Sequence, residues 1–215
     1  MQKFMMLTSF QKQDCLERYG PNVSLDSMAF AHPTTQLYGK VMVGAGSSLW
    51  PNVVVRAEMF EVRIGLHTNI QDFSMVHVGS STGTSIGNYC SITHHCTIHG
   101  CKIGDNCLIG INATIMDGAV IGSNSVVAGG AFVTEGMEVP PNSVVIGMPA
   151  KVHSLRNNFV ANRFNAFMYS FNAAEYAKGN HRGWVGKDFE NAAQTRMKEI
   201  LSEFKNYTEA TSKES

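Results

Sequence analysis

The chain has 215 residues, enough for one well-filled core and an extension. Seventeen basic residues balance seventeen acidic ones, so the charge gives no reason to expect nucleic acid or a membrane as partner. There is no apolar run of about eighteen residues and no secretory signal pattern near the start. We therefore expect a cytoplasmic protein without a membrane segment.

Residues 1–36 lack a regular pattern and are predicted to be an N-terminal extension. Between residues 37 and 152, aliphatic side chains recur with a six-residue period, which is less regular before Ile86 and afterwards has one five-residue step, after Ile98. This period suits a short strand followed by a tight turn, and three such units close a triangular coil of about eighteen residues. The segment is therefore predicted to be a parallel β-helix. The most regular aliphatic positions are Ile86, Ile92, Ile98, Ile103, Ile109, Ile115, Ile121, Val127, Val133, Val139 and Val145.

Two features depart from the simple repeat. Residues 56–63 and 78–85 are too long for regular turns, and we expect both to project as loops. Four cysteines are spaced by the repeat, six apart in each pair, which indicates turn positions and not a disulfide or metal framework. These cysteines are Cys90, Cys96, Cys101 and Cys107.

The composition changes after residue 152, and residues 153–207 are predicted to be a C-terminal helical extension. Ser154 can cap a first helix, and a second helix is expected from about Asp188 to Asn206. Both helices are expected to pack along the outside of the β-helix or across a subunit boundary. Residues 208–215 are predicted to be a disordered tail.

The repeat also places the histidines. His77 follows Val76 and His99 follows Ile98, at the same point of successive coils, so the two imidazoles should stack at one corner. That spacing is compatible with both rings binding one metal ion. His94 belongs to a different corner and could reach the pair only from a neighbouring chain. The alternative is a hydrogen-bonded seam between subunits without a metal.

The segments VVVRAE, TNIQDFSMVH and THHCTIHGCKIG resemble the γ-class carbonic anhydrase family of hexapeptide-repeat proteins. The resemblance implies a mainly β fold, a left-handed parallel β-helix with C-terminal α-helices, assembled as a homotrimer with metal sites between subunits. It implies His77, His94 and His99 as the ligands of zinc, with iron or cobalt possible. A metal-bound hydroxide would then hydrate CO2 reversibly, a lyase reaction on a small-molecule substrate.

Further residues are assigned by the same resemblance. Gln71 would hydrogen-bond a bound water or substrate, while Tyr169 and Asn172 of the first helix would overhang the site. Arg56 and Asp72 would form a charge-assisted pair that stabilises the subunit interface. Glu58 could partly replace the acids that export protons in the family, but pairing at the subunit interface is its favoured role.

The sequence departs from the family in its acidic residues. Met59 stands where the best-characterised γ-class enzymes carry a glutamate, and the segment VGSSTGTS has no acid. We therefore expect low carbonic anhydrase activity at a competent metal site. One alternative is a metal-dependent acyl-CoA thioesterase of the type linked to phenylacetate degradation. A second is a non-enzymatic trimeric scaffold, and a CoA-dependent acyltransferase is less favoured because these histidines form a metal set.

Overall fold

The structure is a computed structural model and describes residues 18–211. It confirms the predicted mainly β fold, a parallel β-helix followed by two α-helices. The strands are β1 (Val23–Leu25), β2 (Phe30–Ala31), β3 (Gln36–Val43), β4 (Ser48–Leu49), β5 (Val54–Ile64), β6 (Asn69–Ile70), β7 (Met75–His77), β8 (Thr84–Ile86), β9 (Ser91–Ile92), β10 (Thr97–His99), β11 (Lys102–Ile103), β12 (Leu108–Ile109), β13 (Thr114–Ile115), β14 (Val120–Ile121), β15 (Val126–Val127), β16 (Phe132–Val133), β17 (Glu138–Val139), β18 (Ser143–Gly147) and β19 (Ala150–Leu155). The helices are α1 (Phe159–Tyr176) and α2 (Lys187–Thr211).

Successive coils pair strand on strand in parallel. On one face β9, β12, β15 and β18 follow each other in register, so that the inward aliphatic residue of each coil stacks on that of the next. These side chains form a continuous core, and Ile92, Ile109 and Val127 are fully buried. The corners are tight turns in which asparagine repeatedly takes a positive φ, as at Asn106 and Asn124. Asparagine tolerates this left-handed conformation better than most residues do.

The two expected loops have different outcomes. Residues 78–83 do leave the coil between β7 and β8, in a turn closed by the hydrogen bond from Gly79 N–H to the Thr82 carbonyl at 2.8 Å. The prediction for residues 56–63 was wrong, because they lie inside the eleven-residue strand β5. β5 pairs with β7 through Val54–Arg56 and with β8 through Val62–Ile64, so it passes from one face to the next without a turn. Residues 58–61 are accommodated by a shift in the register between β3 and β5.

Strand pairing begins ahead of residue 37, the predicted start of the β-helix. β1 pairs with β3, and Val23 lies opposite Val41, one coil later. The weak aliphatic pattern before residue 37 hid this first coil. Residues 1–17, nearly half of the predicted extension, lie outside the described residues.

The first helix begins later than predicted. Ser154 does not cap it, because Ser154 lies in β19, which turns back antiparallel to β18. α1 begins instead at Phe159, whose N–H donates to the Asn157 side chain at 2.9 Å. The helix lies against β4, β6 and β9 on the outside of its own β-helix. It thereby covers the face of the β-helix that ends near His94.

The second helix extends further than predicted. α2 continues to Thr211, into the segment expected to be disordered, and residues 212–215 lie outside the described part. Asp188 and Glu190 in its first turn complement the helix dipole. Phe171 of α1 packs on Phe189 with ring centroids 5.4 Å apart, and Phe159 packs on Phe204 at 5.7 Å. These contacts join α2 to α1.

Two general expectations concern the described residues as a whole. Within residues 18–211 no helix is both long enough and apolar enough to cross a membrane. The four repeat cysteines are buried free thiols, as their spacing predicted.

Candidate metal centre

His77 and His99 form a stacked pair, as their place in the repeat predicts. They end β7 and β10, two adjacent strands in parallel register, where they lie directly opposite each other. Nδ1 of His77 is 3.0 Å from Nε2 of His99, and the ring centroids are 5.0 Å apart. Both side chains are partly exposed, by 21% and 27%. One nitrogen of each ring therefore points to a shared location that solvent can reach.

A carboxylate contacts the other nitrogen of each ring. Glu58 Oε2 lies 3.1 Å from His77 Nε2, and the same carboxylate pairs with Arg56 at 3.1 Å. Asp117 Oδ1 contacts His99 Nδ1. Because a carboxylate accepts the N–H of the nitrogen it contacts, the opposite nitrogen of the ring keeps a free lone pair. The two acids thus present Nδ1 of His77 and Nε2 of His99 as possible metal donors.

Sequence reasoning missed Asp117. It lies eighteen residues after His99, one coil further on, so the register of the repeat could have placed it beside that ring. Two glycines make room for its carboxylate: a Cβ at Gly79 would lie 2.6 Å from Asp117 Oδ2, and a Cβ at Gly100 would lie 2.8 Å from Oδ1. The absence of side chains at these two glycines thus leaves space for an acid behind His99.

His94 lies at another corner, as predicted, and is bound to a different acid. Its Nδ1 is 3.0 Å from Asp72 Oδ2, which leaves Nε2 as the free nitrogen. Within residues 18–211 of a single chain, no three His, Cys, Asp or Glu side chains come together in a way that could hold a metal ion. The structure therefore contains a two-histidine half-site and, separately, a third histidine.

Two of the other assigned residues, Gln71 and Tyr169, lie on the side of the Asp72–His94 pair. Gln71 is 2% exposed, and its side-chain N–H donates to Asn69 Oδ1 at 2.8 Å, so in the isolated chain it supports the coil. The ring of Tyr169 packs edge-on between Trp50 and Trp184, with centroids 5.5 and 5.3 Å away. Burial, reinforced by the negative charge of Asp72, raises the pKa of Tyr169 to about 12. Tyr169 therefore stays protonated near the Asp72–His94 pair.

Asn172 is buried, and its side-chain oxygen would lie 2.7 Å from a Cβ placed on Gly183. It therefore packs under the connection between the two helices. Arg56 and Asp72 do not pair with each other within the chain: Arg56 pairs with Glu58, and Asp72 with His94. Arg56 lies opposite His77 in the strand register, whereas Asp72 follows the strand of another face. The predicted Arg56–Asp72 contact would thus have to join two chains.

Comparison with known proteins identifies the family. A probable carbonic anhydrase of Methanocaldococcus jannaschii is 54% identical over 116 residues, which cover 54% of this chain and 73% of that protein. The mitochondrial gamma carbonic anhydrase 1 of Arabidopsis thaliana is 38% identical over 133 residues. The chain belongs to the γ-class carbonic anhydrase-like family. The match spans 59% of this chain but only 48% of the Arabidopsis protein.

Two further comparisons agree with a γ-class carbonic anhydrase-like scaffold. The bacterial transferase hexapeptide family (six repeats) matches residues 100–135. The solved structure of a hexapeptide transferase family protein from Anaplasma phagocytophilum superposes with a TM-score of 0.70 at 32% identity. That match covers 74% of this chain and 95% of the other. The β-helix is thus shared beyond the segment that carries the repeat signature.

The donors of this γ-class carbonic anhydrase-like chain suit a divalent metal. Two nitrogens that bind one tetrahedral metal at about 2.0–2.1 Å lie about 3.3–3.4 Å apart. The separation between His77 Nδ1 and His99 Nε2 is 3.0 Å, so a small movement of either ring would accommodate an ion. All three candidate histidines also have a carboxylate on one nitrogen, an arrangement typical of zinc-binding histidines.

Proposed function

We propose that the chain is a γ-class carbonic anhydrase-like metalloenzyme whose metal lies between two subunits of a homotrimer. His77 and His99 of one subunit and His94 of its neighbour would hold the metal, with zinc favoured and iron or cobalt as alternatives. The observation that carries this proposal is the stacked pair with one carboxylate behind each ring. Three neutral imidazoles would leave a coordination position open for a substrate.

The surface around His94 supports a subunit contact. Phe73 follows Asp72 and is 55% exposed, and Ile111 on the next coil is 50% exposed. Phe73 also adopts a positive φ of 59°, which is unusual for a bulky residue, and it stacks on His95 with parallel rings 5.0 Å apart. Exposed apolar side chains grouped beside polar ones are typical of a protein interface. A neighbouring chain would cover them and bring His94 to the histidine pair.

The reaction proposed is the reversible hydration of CO2. A divalent metal at this site would act as a Lewis acid and lower the pKa of a water molecule towards neutrality, which makes that water a nucleophile. Asp117 and Glu58 would hold the rings of His99 and His77 in the required tautomers, and Asp72 would do so for His94. Gln71, Tyr169 and Asn172 would lie on the His94 side of the site. A rotation of the Gln71 side chain would let its amide contact the substrate.

Glu58 is a weak proton acceptor, and this limits the expected rate. Burial by itself would raise its pKa, but hydrogen bonds from a backbone N–H and from His77, together with the charge of Arg56, lower it below the ordinary value. A base works best when its pKa lies near the working pH. Met59 next to it is 74% exposed and does not titrate, so we expect slow hydration of CO2.

Stopped-flow measurement of CO2 hydration tests this function. We expect a low, metal-dependent rate for the purified trimer and loss of that rate in His99→Ala. A matched control is His153→Ala, which changes an exposed histidine of β19 far along the chain from the site residues. A rate that is unchanged in His99→Ala would contradict the proposed role of the pair.

The same preparations should be assayed with a panel of acyl-CoA thioesters. One outcome is that the protein hydrolyses thioesters and does not hydrate CO2, with a metal-dependent rate that is lost in His99→Ala. That result would support the same metal site with a thioester as its substrate. Metal-free protein that does not bind added zinc would contradict both metal-dependent reactions, CO2 hydration and thioester hydrolysis, and would favour a trimeric scaffold. The two assays together therefore separate the three functions.

A further inference from the structure

A cavity of about 200 Å³ lies between both helices and the β-helix, at a different corner of the coils from the histidine pair and from His94. α1 contributes Arg163 and Ser170, and α2 contributes Arg196 and Glu199. The corner of the β-helix contributes His67 and Tyr89, whose rings stack with centroids 5.2 Å apart. Five of these six side chains can donate hydrogen bonds, which is unusual for a junction that only packs helices on a coil.

Arg163 is the most unusual group in this cavity. Its side chain is only 14% exposed, and its nearest carboxylate oxygen, on Glu203, is 4.0 Å from Nε. That Nε is buried and has no hydrogen-bond partner among residues 18–211. The guanidinium lies over the ring of Tyr89, with Cζ 3.6 Å from the centroid. A buried charge without a hydrogen-bonded partner is costly, so such a group usually has an ion or water beside it.

The acids of α2 do not satisfy Arg163. Glu199 and Glu203 both accept hydrogen bonds from one atom, Nη1 of Arg196, at 2.8 and 2.7 Å. Among residues 18–211, the hydrogen bonds of Arg196 to these two acids leave Nε and Nη2 unused. Burial, followed by the charges of Arg196 and Arg163, lowers the pKa of His67, and no acid opposes this effect. Both guanidinium groups therefore lie close enough to His67 to act on its charge.

We propose that this cavity binds a small oxyanion, the carboxylate or phosphate group of a ligand, through the guanidinium groups of Arg163 and Arg196. A planar guanidinium presents paired N–H donors that match the oxygens of either group. Ser170 lines the same wall and could add a hydroxyl donor. The anion would supply the hydrogen-bonded acceptor that Arg163 Nε lacks, since the Glu203 carboxylate is 4.0 Å away. This site is independent of the metal centre and of the proposed reaction.

Thermal unfolding of the purified full-length protein tests the proposal in two arms, sodium phosphate and sodium acetate, with chloride keeping the ionic strength constant. We expect a saturable rise in Tm in at least one arm, and the active arm identifies the group that is bound. A further rise without saturation is the general effect of phosphate on protein stability and should occur in every variant.

Arg163→Met keeps most of the aliphatic packing and removes the guanidinium. It should raise the apparent Kd of the saturable effect about tenfold or more, because a charge-assisted hydrogen bond is lost. Arg182→Met, at an exposed arginine outside the cavity, makes the same charge change and should leave the Kd unchanged. Equal Kd values for wild type and Arg163→Met, or no saturable effect in either arm, would overturn the proposal.

Two further variants keep the test decisive if Arg163→Met does not fold. Arg163→Lys preserves the charge but not the paired donors, and should also weaken binding about tenfold; an unchanged Kd would count against the site. His99→Ala should retain the full effect. Loss of the effect in His99→Ala would mean that the anion binds at the metal centre, which would overturn the proposal of a separate anion site.

Discussion

Asp117 lies one coil beyond His99, and its carboxylate contacts Nδ1 of that ring. Without this contact the imidazole could present either nitrogen to the shared location, and it could rotate about its side-chain bonds. The carboxylate favours the tautomer with hydrogen on Nδ1 and so directs the lone pair of Nε2 towards His77. We therefore regard Asp117 as a positioning residue for metal binding.

Asp117→Asn should reduce the zinc affinity about 10–100-fold, because such carboxylates orient a metal-binding histidine. The measurement is competition with a chromophoric chelator at pH 7.5, which does not depend on enzyme turnover. Glu135→Gln makes the same charge change at an exposed site and should bind zinc as the wild type does. Equal affinities in both variants would show that Asp117 does not orient His99.

The buried thiols are expected to be unreactive. Burial raises the pKa of Cys96 to about 11 and that of Cys101 to about 12, so almost no thiolate is present at neutral pH. Iodoacetamide at pH 7.5 should leave both unmodified in the folded protein and alkylate them after unfolding in guanidinium. Peptide mapping by mass spectrometry measures this. Rapid labelling of either thiol under native conditions would contradict the burial of the turn positions.

At the level of strands, the six-residue period predicted most of the fold. It placed the inward aliphatic residues and the stacking of His77 on His99, because stacked coils transmit register directly. It did not show that residues 56–63 belong to β5, since a strand that crosses a corner has no turn residue to mark it. It also gave no sign that Ser154 lies in β19, because a serine that can cap a helix can also lie in a strand.

Matched valine substitutions test the role of the inward positions. Val127 is fully buried in β15, whereas Val120 on β14 points outward and is 38% exposed. Val127→Ala should lower the free energy of unfolding by about 2 kcal/mol or more, because it removes buried methyl groups and leaves a cavity. Val120→Ala should change it by much less. Guanidinium denaturation measures both, and similar losses would contradict the assigned inward and outward faces.

For the whole molecule, the candidate ligands divide between two corners of the chain. The sequence showed this division through the repeat, but it could not show which acids contact the histidines. Asp72 and Glu58 were expected at a subunit interface, and the structure places them beside His94 and His77. The proposed three-histidine site would therefore require a neighbour, so the proposed activity would depend on assembly.

Hybrid trimers give a quantitative consequence. His94→Ala lacks the ligand supplied to the neighbour, and His99→Ala lacks part of the pair, so each variant alone should bind little zinc. In randomly assembled trimers from equal amounts of both, about one quarter of the interfaces would combine an intact pair with an intact His94. Zinc content should therefore recover to about a quarter of the wild-type value. No recovery in mixed trimers would argue against ligands from two chains.

The most direct test of the shared metal centre is anomalous X-ray scattering from crystals of the protein purified without chelator. We expect a trimer with one anomalous peak at each interface, beside His77 and His99 of one subunit and His94 of the next. The absorption edge at which the peak appears would identify the metal. A metal bound by one chain alone, or a trimer that stays metal-free after zinc is added, would contradict the proposal.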